Sequence, residues 1–347
     1  MEKPERLVTV SEQPYNAETP LSALNETLTS NDLFYVRNHF DVPQLNLSDW
    51  ALNVGGAVED ARKFALDEIR SLPNRSLLVP LECAGNGRTT LDPLVSGTQW
   101  GLGAIAQAEF TGTSLSNILD LVHPAEQSKE VVFTGADRGE VRTGETTNYA
   151  RSLPLDIARH PDVLLVWEMN SQPLPRDHGF PLRLLVPGWY GMASVKWLQD
   201  IRLAAAPFEG FFQKDDYVYS ESEALSEGAP VRDMRVRSLI VSHTDGETLP
   251  IGKHEFSGIA WGGQGGIAEV ALSSDGGTTW LPADLEAPAG EYAWTGWKLS
   301  LEYTQPGPRS LILRAADGEG SRQPLAQFWN RGGYGNNLVH RITIHVD

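Results

Sequence analysis

Residues 77–87, Leu77-Leu78-Val79-Pro80-Leu81-Glu82-Cys83-Ala84-Gly85-Asn86-Gly87, change character midway. The first part is a continuous apolar run of the kind that forms a buried strand, and the second is a glycine-rich turn. Cys83 stands at the boundary. Ligands and reactive side chains collect at the carboxyl ends of such strands, and successive N–H groups of a glycine turn stabilise an anion such as a thiolate. Cys83 is the one cysteine among 347 residues. A free cysteine is most often a small buried hydrophobe. Its position here adds two alternatives, a metal ligand or a nucleophile paired with histidine, and no histidine carries a local signature for that pairing.

Outward from this stretch, residues 131–135, 163–167 and 182–187 predict further strands. Residues 50–56 predict a strand entering a glycine turn, and 64–72 a helix stopped by Pro73. Helices are few and short, so 33–205 is expected to be a mixed α+β domain. Residues 1–32 are polar and expected to form an irregular N-terminal extension. Residues 206–230, rich in aromatics and acids, are expected to connect two domains.

From Val231 the pattern changes. Short alternating strands are predicted at 236–241, 254–261, 268–273, 293–301, 309–315 and 339–346, separated by Asp-Gly and Gly-Gly turns. Residues 231–347 thus predict an all-β immunoglobulin-like sandwich of about 115 residues, close to the usual size of that fold. Ser273-Ser274-Asp275-Gly276-Gly277-Thr278-Thr279-Trp280 matches an Asp-box hairpin, and a single copy reads as a structural turn.

The charge balance, 28 basic against 45 acidic residues and a formal net charge of -17, opposes nucleic-acid and anionic-membrane partners. One cysteine permits no intrachain disulfide and no cysteine-ligated iron–sulfur cluster. No stretch is apolar enough for membrane insertion, and the N-terminus lacks the apolar core of an export signal. The expected location is cytoplasmic as the sequence stands, or periplasmic if an export signal was removed.

Two further clusters carry chemistry. Arg37-Asn38-His39 follows the apolar Leu33-Phe34-Tyr35-Val36; its plain alternative is a surface turn before Pro43. Pro175-Arg176-Asp177-His178-Gly179-Phe180-Pro181-Leu182-Arg183, with Ser194-Val195-Lys196 beyond it, forms a rigid cationic set suited to a phosphate or another oxyanion. Its plain alternative is a salt-bridged loop.

In this order and at about these spacings, Arg37-Asn38-His39, Cys83-Ala84-Gly85-Asn86, the 176–183 loop and Val195-Lys196-Trp197 resemble the motifs of the sulfite oxidase family, bacterial haem-free members included. The C-terminal half resembles that family's dimerisation domain in Asp245-Gly246-Glu247, in Ser274-Asp275-Gly276-Gly277 before Trp280, and in Trp329-Asn330 with Asn337 and His340-Arg341. The resemblance runs from about Leu33 to the C-terminus. It implies a sulfite-oxidase-type molybdopterin-binding domain followed by the sandwich, with molybdenum and molybdopterin as cofactor.

Position by position, the resemblance makes Cys83 the protein ligand of molybdenum. It places Tyr35, Asn38, His39, Asp137, His178, Arg183, Ser194, Val195 and Lys196 around the pterin and its phosphate. It places Arg37, Trp100 and Tyr217 at the substrate, with Arg37, Cys83 and Tyr217 catalytic. The implied reaction is oxidation of sulfite to sulfate by oxo transfer, in a homodimer that passes electrons to a separate acceptor such as a cytochrome. The alternative is another oxyanion or an S-oxide, the enzyme even acting as a reductase. A binding module with a silent first domain is opposed by Cys83 and the Arg183/Lys196 pair.

The chain departs from the family pattern at three places. Gly87-Arg88 stands where animal sulfite oxidases have two arginines, Leu66 lies near another pocket arginine, and Arg331-Gly332-Gly333 displaces a third. Arg142, Arg151 and Arg331 are the candidates to restore the charge a dianion needs. Cys83→Ser is expected to abolish turnover and leave the fold intact; unchanged activity would remove Cys83 as the metal ligand.

Overall fold

Burial deepens along the strand Asn74–Glu82, from exposed Asn74 to fully buried Val79, Pro80, Leu81 and Glu82. The computed structural model describes residues 6–220 and 228–347. Asn74–Glu82 pairs antiparallel with Ile105–Ser114 at the edge of a five-stranded sheet, where Pro80, having no N–H, breaks no ladder. Ile105–Ser114 pairs in turn with Leu164–Met169, which also carries Arg183–Leu185. A second sheet runs Arg62–Phe64, Leu52–Gly56, Leu198–Ala204, Glu130–Glu140, Thr146–Pro154.

The helices are short. Leu115–Val122 buries Leu115, Ile118, Leu119 and Val122, a one-sided stripe at helical spacing. The helix expected over 64–72 is confined to Leu66–Arg70. Its start is set by Glu68, whose carboxylate accepts the Ala65 N–H at 2.8 Å. Phe64 instead ends the strand Arg62–Phe64 and is buried.

The expectation of an irregular N-terminal extension is overturned. Val8–Glu12 and Tyr15–Glu18 form an antiparallel hairpin, and Ala17 bridges Val36. Three polar residues of this segment, Asn16, Thr19 and Thr29, are buried rather than turned to water. Asn16 Oδ1 accepts the Asn38 N–H at 2.8 Å, and Thr19 Oγ1 donates to the Leu33 carbonyl at 2.8 Å. Buried polar groups that are hydrogen-bonded cost little, so polarity alone misreads the segment.

Of the connecting residues 206–230, 221–227 lie outside the described residues. Phe212–Asp216 form a wide helical turn, and Val218–Tyr219 pairs with Ala229–Pro230.

The C-terminal part is the expected sandwich. One sheet runs Arg237–Ile240, Gly252–Trp261, Thr295–Tyr303, Asp284–Leu285; the other runs Thr248–Leu249, His340–Val346, Gly307–Asp317, Ile267–Ser273, Leu281–Pro282. Phe256, Leu272, Trp297, Leu311, Leu313 and Ile344 fill the space between them. The Asp-box is a turn cap: the Asp275 carboxylate accepts from the backbone N–H groups of Thr278 and Thr279 at 3.0 and 2.9 Å. Those bonds hold its pKa down to about 2.

The two parts share a core. Leu239, Trp261 and Tyr334 from the C-terminal part pack in one cluster with Trp189, Tyr190 and Leu198. Among the described residues no helix is long and apolar enough to cross a membrane.

Glu18 closes the N-terminal hairpin against Gly101. Its Oε1 has no partner, and burial pushes its pKa up to about 7, opposed by the Gly101 N–H. A raised pKa means the fold favours the protonated acid. This contribution is complete below the ordinary value of 4.5 and is lost as pH rises through about 7. Glu18→Gln is therefore expected to be more stable than the parent at pH 8 by about 1 kcal/mol, solvent screening limiting the gain, with no difference at pH 4. Denaturant melts at the two pH values check this, and an equal difference at both would sink the assignment.

Candidate active site

Cys83 leaves its strand with its N–H donated to Ala104 O at 2.9 Å, and its own carbonyl accepts the Asn86 N–H at 2.9 Å. The turn that follows needs glycine at Gly87. Its φ is 80°, and a Cβ there would lie 2.4 Å from the Arg237 guanidinium. Cys83 is buried. Burial pushes its thiol pKa up, while Arg37, the Gly85 N–H and Arg88 pull it down.

Two cavities meet at Cys83. The inner one is lined by Tyr35, Asp137, His178, Arg183, Ser194 and Lys196, and it shares Arg37, His39, Cys83 and Tyr217 with the outer one. The outer cavity holds about 370 Å³ and adds Arg88, Trp100, Arg142, Arg331 and Tyr334.

Arg37, Arg183 and Lys196 reach the inner cavity with one carboxylate, Asp137. Their hydrogen bonds go to neutral oxygens. Arg183 donates to His178 O and Ser194 O, each at 3.0 Å; Lys196 donates to Asp177 O at 2.7 Å and to Asn38 Oδ1; Arg37 donates to Asn38 O. Arg183 Nε and Asp137 Oδ1 are buried and unpartnered. Burial and then Arg183 push the Lys196 pKa down, and burial pushes that of Asp137 up.

Buried charge in excess calls for a counter-charge. An anionic group bearing N–H donors answers both the cations and the orphaned Asp137 oxygen.

His39 and Tyr217 form the wall between the cavities. His39 Nε2 and Tyr217 Oη lie 2.8 Å apart, and the imidazole stacks on Tyr149 at 4.6 Å between ring centroids. Burial, then Arg37 and Lys196, hold the His39 pKa well below its ordinary value. His178 is lowered to about 3 by burial, Lys196 and Arg183. Burial raises the Tyr217 pKa, so its hydroxyl keeps its proton.

Three expected site residues stand apart from the inner cavity. Asn38 turns its Nδ2 to Tyr15 O at 3.0 Å and reaches the site through Lys196, which donates to its Oδ1, and through Arg37, which donates to its carbonyl. Val195 packs in the core, and its carbonyl accepts the Leu184 N–H at 2.9 Å. Trp100, fully buried, borders the outer cavity edge-on to Tyr35.

Of the three candidate replacement arginines, Arg142 and Arg331 line the outer cavity. Arg151 instead lies behind it, 5.5 Å over the Tyr217 ring. Leu66 is core, and Arg62 pairs with Glu68 at the surface.

Arg88, noted in the sequence only as a departure, reaches the outer cavity from the Cys83 turn. It donates to Thr98 O at 2.6 Å and Gly332 O at 2.7 Å. Tyr149 and Tyr334 had no local sequence signal; each is placed by strands or turns distant in the chain.

Residues 39–212 match the family described as oxidoreductase molybdopterin binding domain, and residues 229–347 match the Mo-co oxidoreductase dimerisation domain. Sulfite oxidase of Arabidopsis thaliana is 34% identical, with 97% of this chain and 93% of that protein aligned. Mitochondrial sulfite oxidase of Homo sapiens is 35% identical over 97% of this chain; the chain spans 65% of that relative's length. The crystal structure of the sulfane dehydrogenase SoxCD from Paracoccus pantotrophus superposes with a TM-score of 0.83 at 26% identity, covering 99% of this chain and 90% of that one.

The chain therefore belongs to the sulfite oxidase family of molybdopterin-binding oxidoreductases. Its fold is a sulfite-oxidase-type molybdopterin-binding domain followed by the immunoglobulin-like sandwich, and its cofactor is molybdenum with molybdopterin. The cation excess and the unpartnered Asp137 and Arg183 atoms fit that group.

The lowering of His178 to about 3 predicts that its ring stays neutral from pH 8 down to pH 5. Imidazole nitrogen chemical shifts followed by NMR check this; a protonated ring at pH 5 would contradict the burial argument.

Proposed function

We propose that this protein oxidises sulfite to sulfate and passes the electrons to a separate acceptor protein. The observation that carries the reading is the lone thiol, Cys83, at the junction of an anion-demanding inner cavity and an outer cavity lined by Arg37, Arg88, Arg142 and Arg331. The balance is sulfite plus water to sulfate, two protons and two electrons.

Cys83 holds the metal through Sγ as a thiolate. Arg183 and Lys196 take the cofactor's phosphate, and Asp137 accepts from its ring N–H groups. Tyr35, His39, His178 and Ser194 line the same cavity. Asn38 and Val195 act at one remove: Asn38 orients Lys196, and Val195 anchors the strand that carries Arg183. The bound cofactor supplies the oxygen-atom transfer and the two-electron redox change.

Arg37 holds the dianion and offsets the charge that grows as sulfate forms. Tyr217, kept protonated, donates a hydrogen bond to the same anion, and neutral His39 orients it without adding charge. Trp100 closes the wall against water. The chain works as a homodimer through residues 231–347, with 33–205 as the catalytic domain and 206–230 joining them. A cytochrome is the acceptor class we favour.

A second reading, another oxyanion or a neutral sulfur substrate, draws on two observations. Glu140 and Asp216 also line the outer cavity, and Asp216 pairs with Arg142 at 3.1 Å, spending part of the positive charge. The similar crystal structure is that of a sulfane dehydrogenase.

Sulfite-dependent reduction of ferricyanide, on protein with measured molybdenum, separates the two. Turnover is expected, with kcat/KM reduced about 100-fold or more in Arg37→Gln. No turnover with sulfite from molybdenum-loaded protein, alongside turnover with an S-oxide or a sulfane sulfur compound, would transfer the assignment to the second reading.

A further inference from the structure

The Cys83 turn is gripped from the sandwich. Glu82, the residue before Cys83, is fully buried. Its Oε1 accepts from Arg237 at 3.0 Å and from Asn86 Nδ2 at 3.0 Å, and its Oε2 accepts from Trp261 Nε1 at 2.8 Å. The same Arg237 nitrogen donates to Asn86 O at 3.0 Å. Arg237 and Trp261 face each other in register on paired strands of the sandwich.

Further bonds run across the same seam. Gly335 N–H donates to Ala84 O at 2.8 Å, Asn336 Nδ2 to Gly87 O at 2.8 Å, and Arg88 to Gly332 O at 2.7 Å. The turn from Glu82 to Arg88 is thus tied to the C-terminal part along most of its length.

A buried ion pair is a poor way to gain stability. An apolar pair of similar volume packs as well without the desolvation cost. What the Glu82–Arg237 pair supplies is direction. Successive residues of a strand point to opposite faces, so fixing Glu82 toward the sandwich fixes Cys83 toward the cavities. Arg237 bridges both ends of the turn at once, the Glu82 carboxylate and the Asn86 carbonyl.

We propose that Arg237 is a positioning residue for the metal site: by clamping Glu82 and Asn86 it sets where Cys83 Sγ points, and the sandwich becomes a wall of that site as well as a dimerisation module. The part concerning metal rests on Cys83 being the molybdenum ligand. The clamp itself does not.

The test uses the single thiol of the chain. Full-length protein made without cofactor is labelled with an aromatic disulfide reagent under native conditions, and molybdenum-loaded protein is examined by Mo(V) electron paramagnetic resonance. Removing Arg237 alone would strand a buried carboxylate and endanger folding, so the main variant is the double substitution E82Q/R237M. Leu313→Ala, in the sandwich core away from the turn, controls for lost stability.

Labelling of E82Q/R237M is expected to be about tenfold faster than that of Leu313→Ala, because the turn opens locally rather than with the whole fold. Its Mo(V) spectrum is expected to shift, while that of Leu313→Ala matches the parent. Arg237→Lys, which keeps the charge, is expected to restore slow labelling. Labelling and spectra of E82Q/R237M equal to those of Leu313→Ala would overturn the proposal. Should the parent protein fail to turn over sulfite while the labelling difference persists, the substrate assignment falls and the clamp stands.

Discussion

The inner cavity carries more positive charge than the protein itself answers. Arg37, Arg183 and Lys196 converge there with Asp137 as the one carboxylate, and their hydrogen bonds go to carbonyl and amide oxygens. Desolvated cations without a counter-ion are costly. The fold tolerates them by surrounding each with oriented dipoles. Arg183 is threaded between His178 O and Ser194 O, and Lys196 is held by Asp177 O and Asn38 Oδ1. The two sheets, the cationic 176–183 loop and the N-terminal hairpin can all be understood as the frame that keeps these dipoles aimed. Burial first, and then the same cations, keep His39 and His178 neutral, so the imidazoles add no further positive charge.

The outer cavity has the opposite character. Arg142 is half-exposed and paired with Asp216, and it lies over the Phe211 ring at 4.6 Å. That contact ties the hairpin after Glu130–Glu140 to the turn Phe212–Asp216, which leads directly into Tyr217. Charge at the mouth is therefore shared with carboxylates, and charge at the floor, near Arg37 and Arg88, is not. An anion entering this cavity moves from a compensated region to an uncompensated one. On the proposed reading, that difference would favour an anion near Cys83 despite the acidic chain, for which net charge describes only the distant field.

Much of this was legible in the sequence, and the limits have physical causes. The strand ending at Cys83 was readable because a continuous apolar run and a glycine turn are both local signals. The sandwich strands were readable because one buried face imposes alternation, as in Ile342, Ile344 and Val346. The N-terminal hairpin leaves little local signal because its inward residues, Asn16 and Thr19, are polar and are satisfied by partners far along the chain. Arg88 reads in the sequence only as part of the Gly87-Arg88 departure, because a motif records spacing and not reach; its guanidinium arrives at the outer cavity by way of Thr98 and Gly332. Tyr149 and Tyr334 could not be singled out, since an aromatic in a core and an aromatic in a cavity wall have the same local sequence.

The seam at Glu82 has a bearing on how such a protein can change over time. Two domains joined by a linker can be recombined freely, because each keeps its own surface. Here a carboxylate of one domain is neutralised by an arginine of the other, and a single hydrophobic core crosses between them. A replacement sandwich of the same shape would have to bring an arginine, a tryptophan and an asparagine to three fixed places to make the same contacts with the turn at Cys83. Heredity would therefore pass these two modules on as a unit, and drift in one would have to be matched by drift in the other.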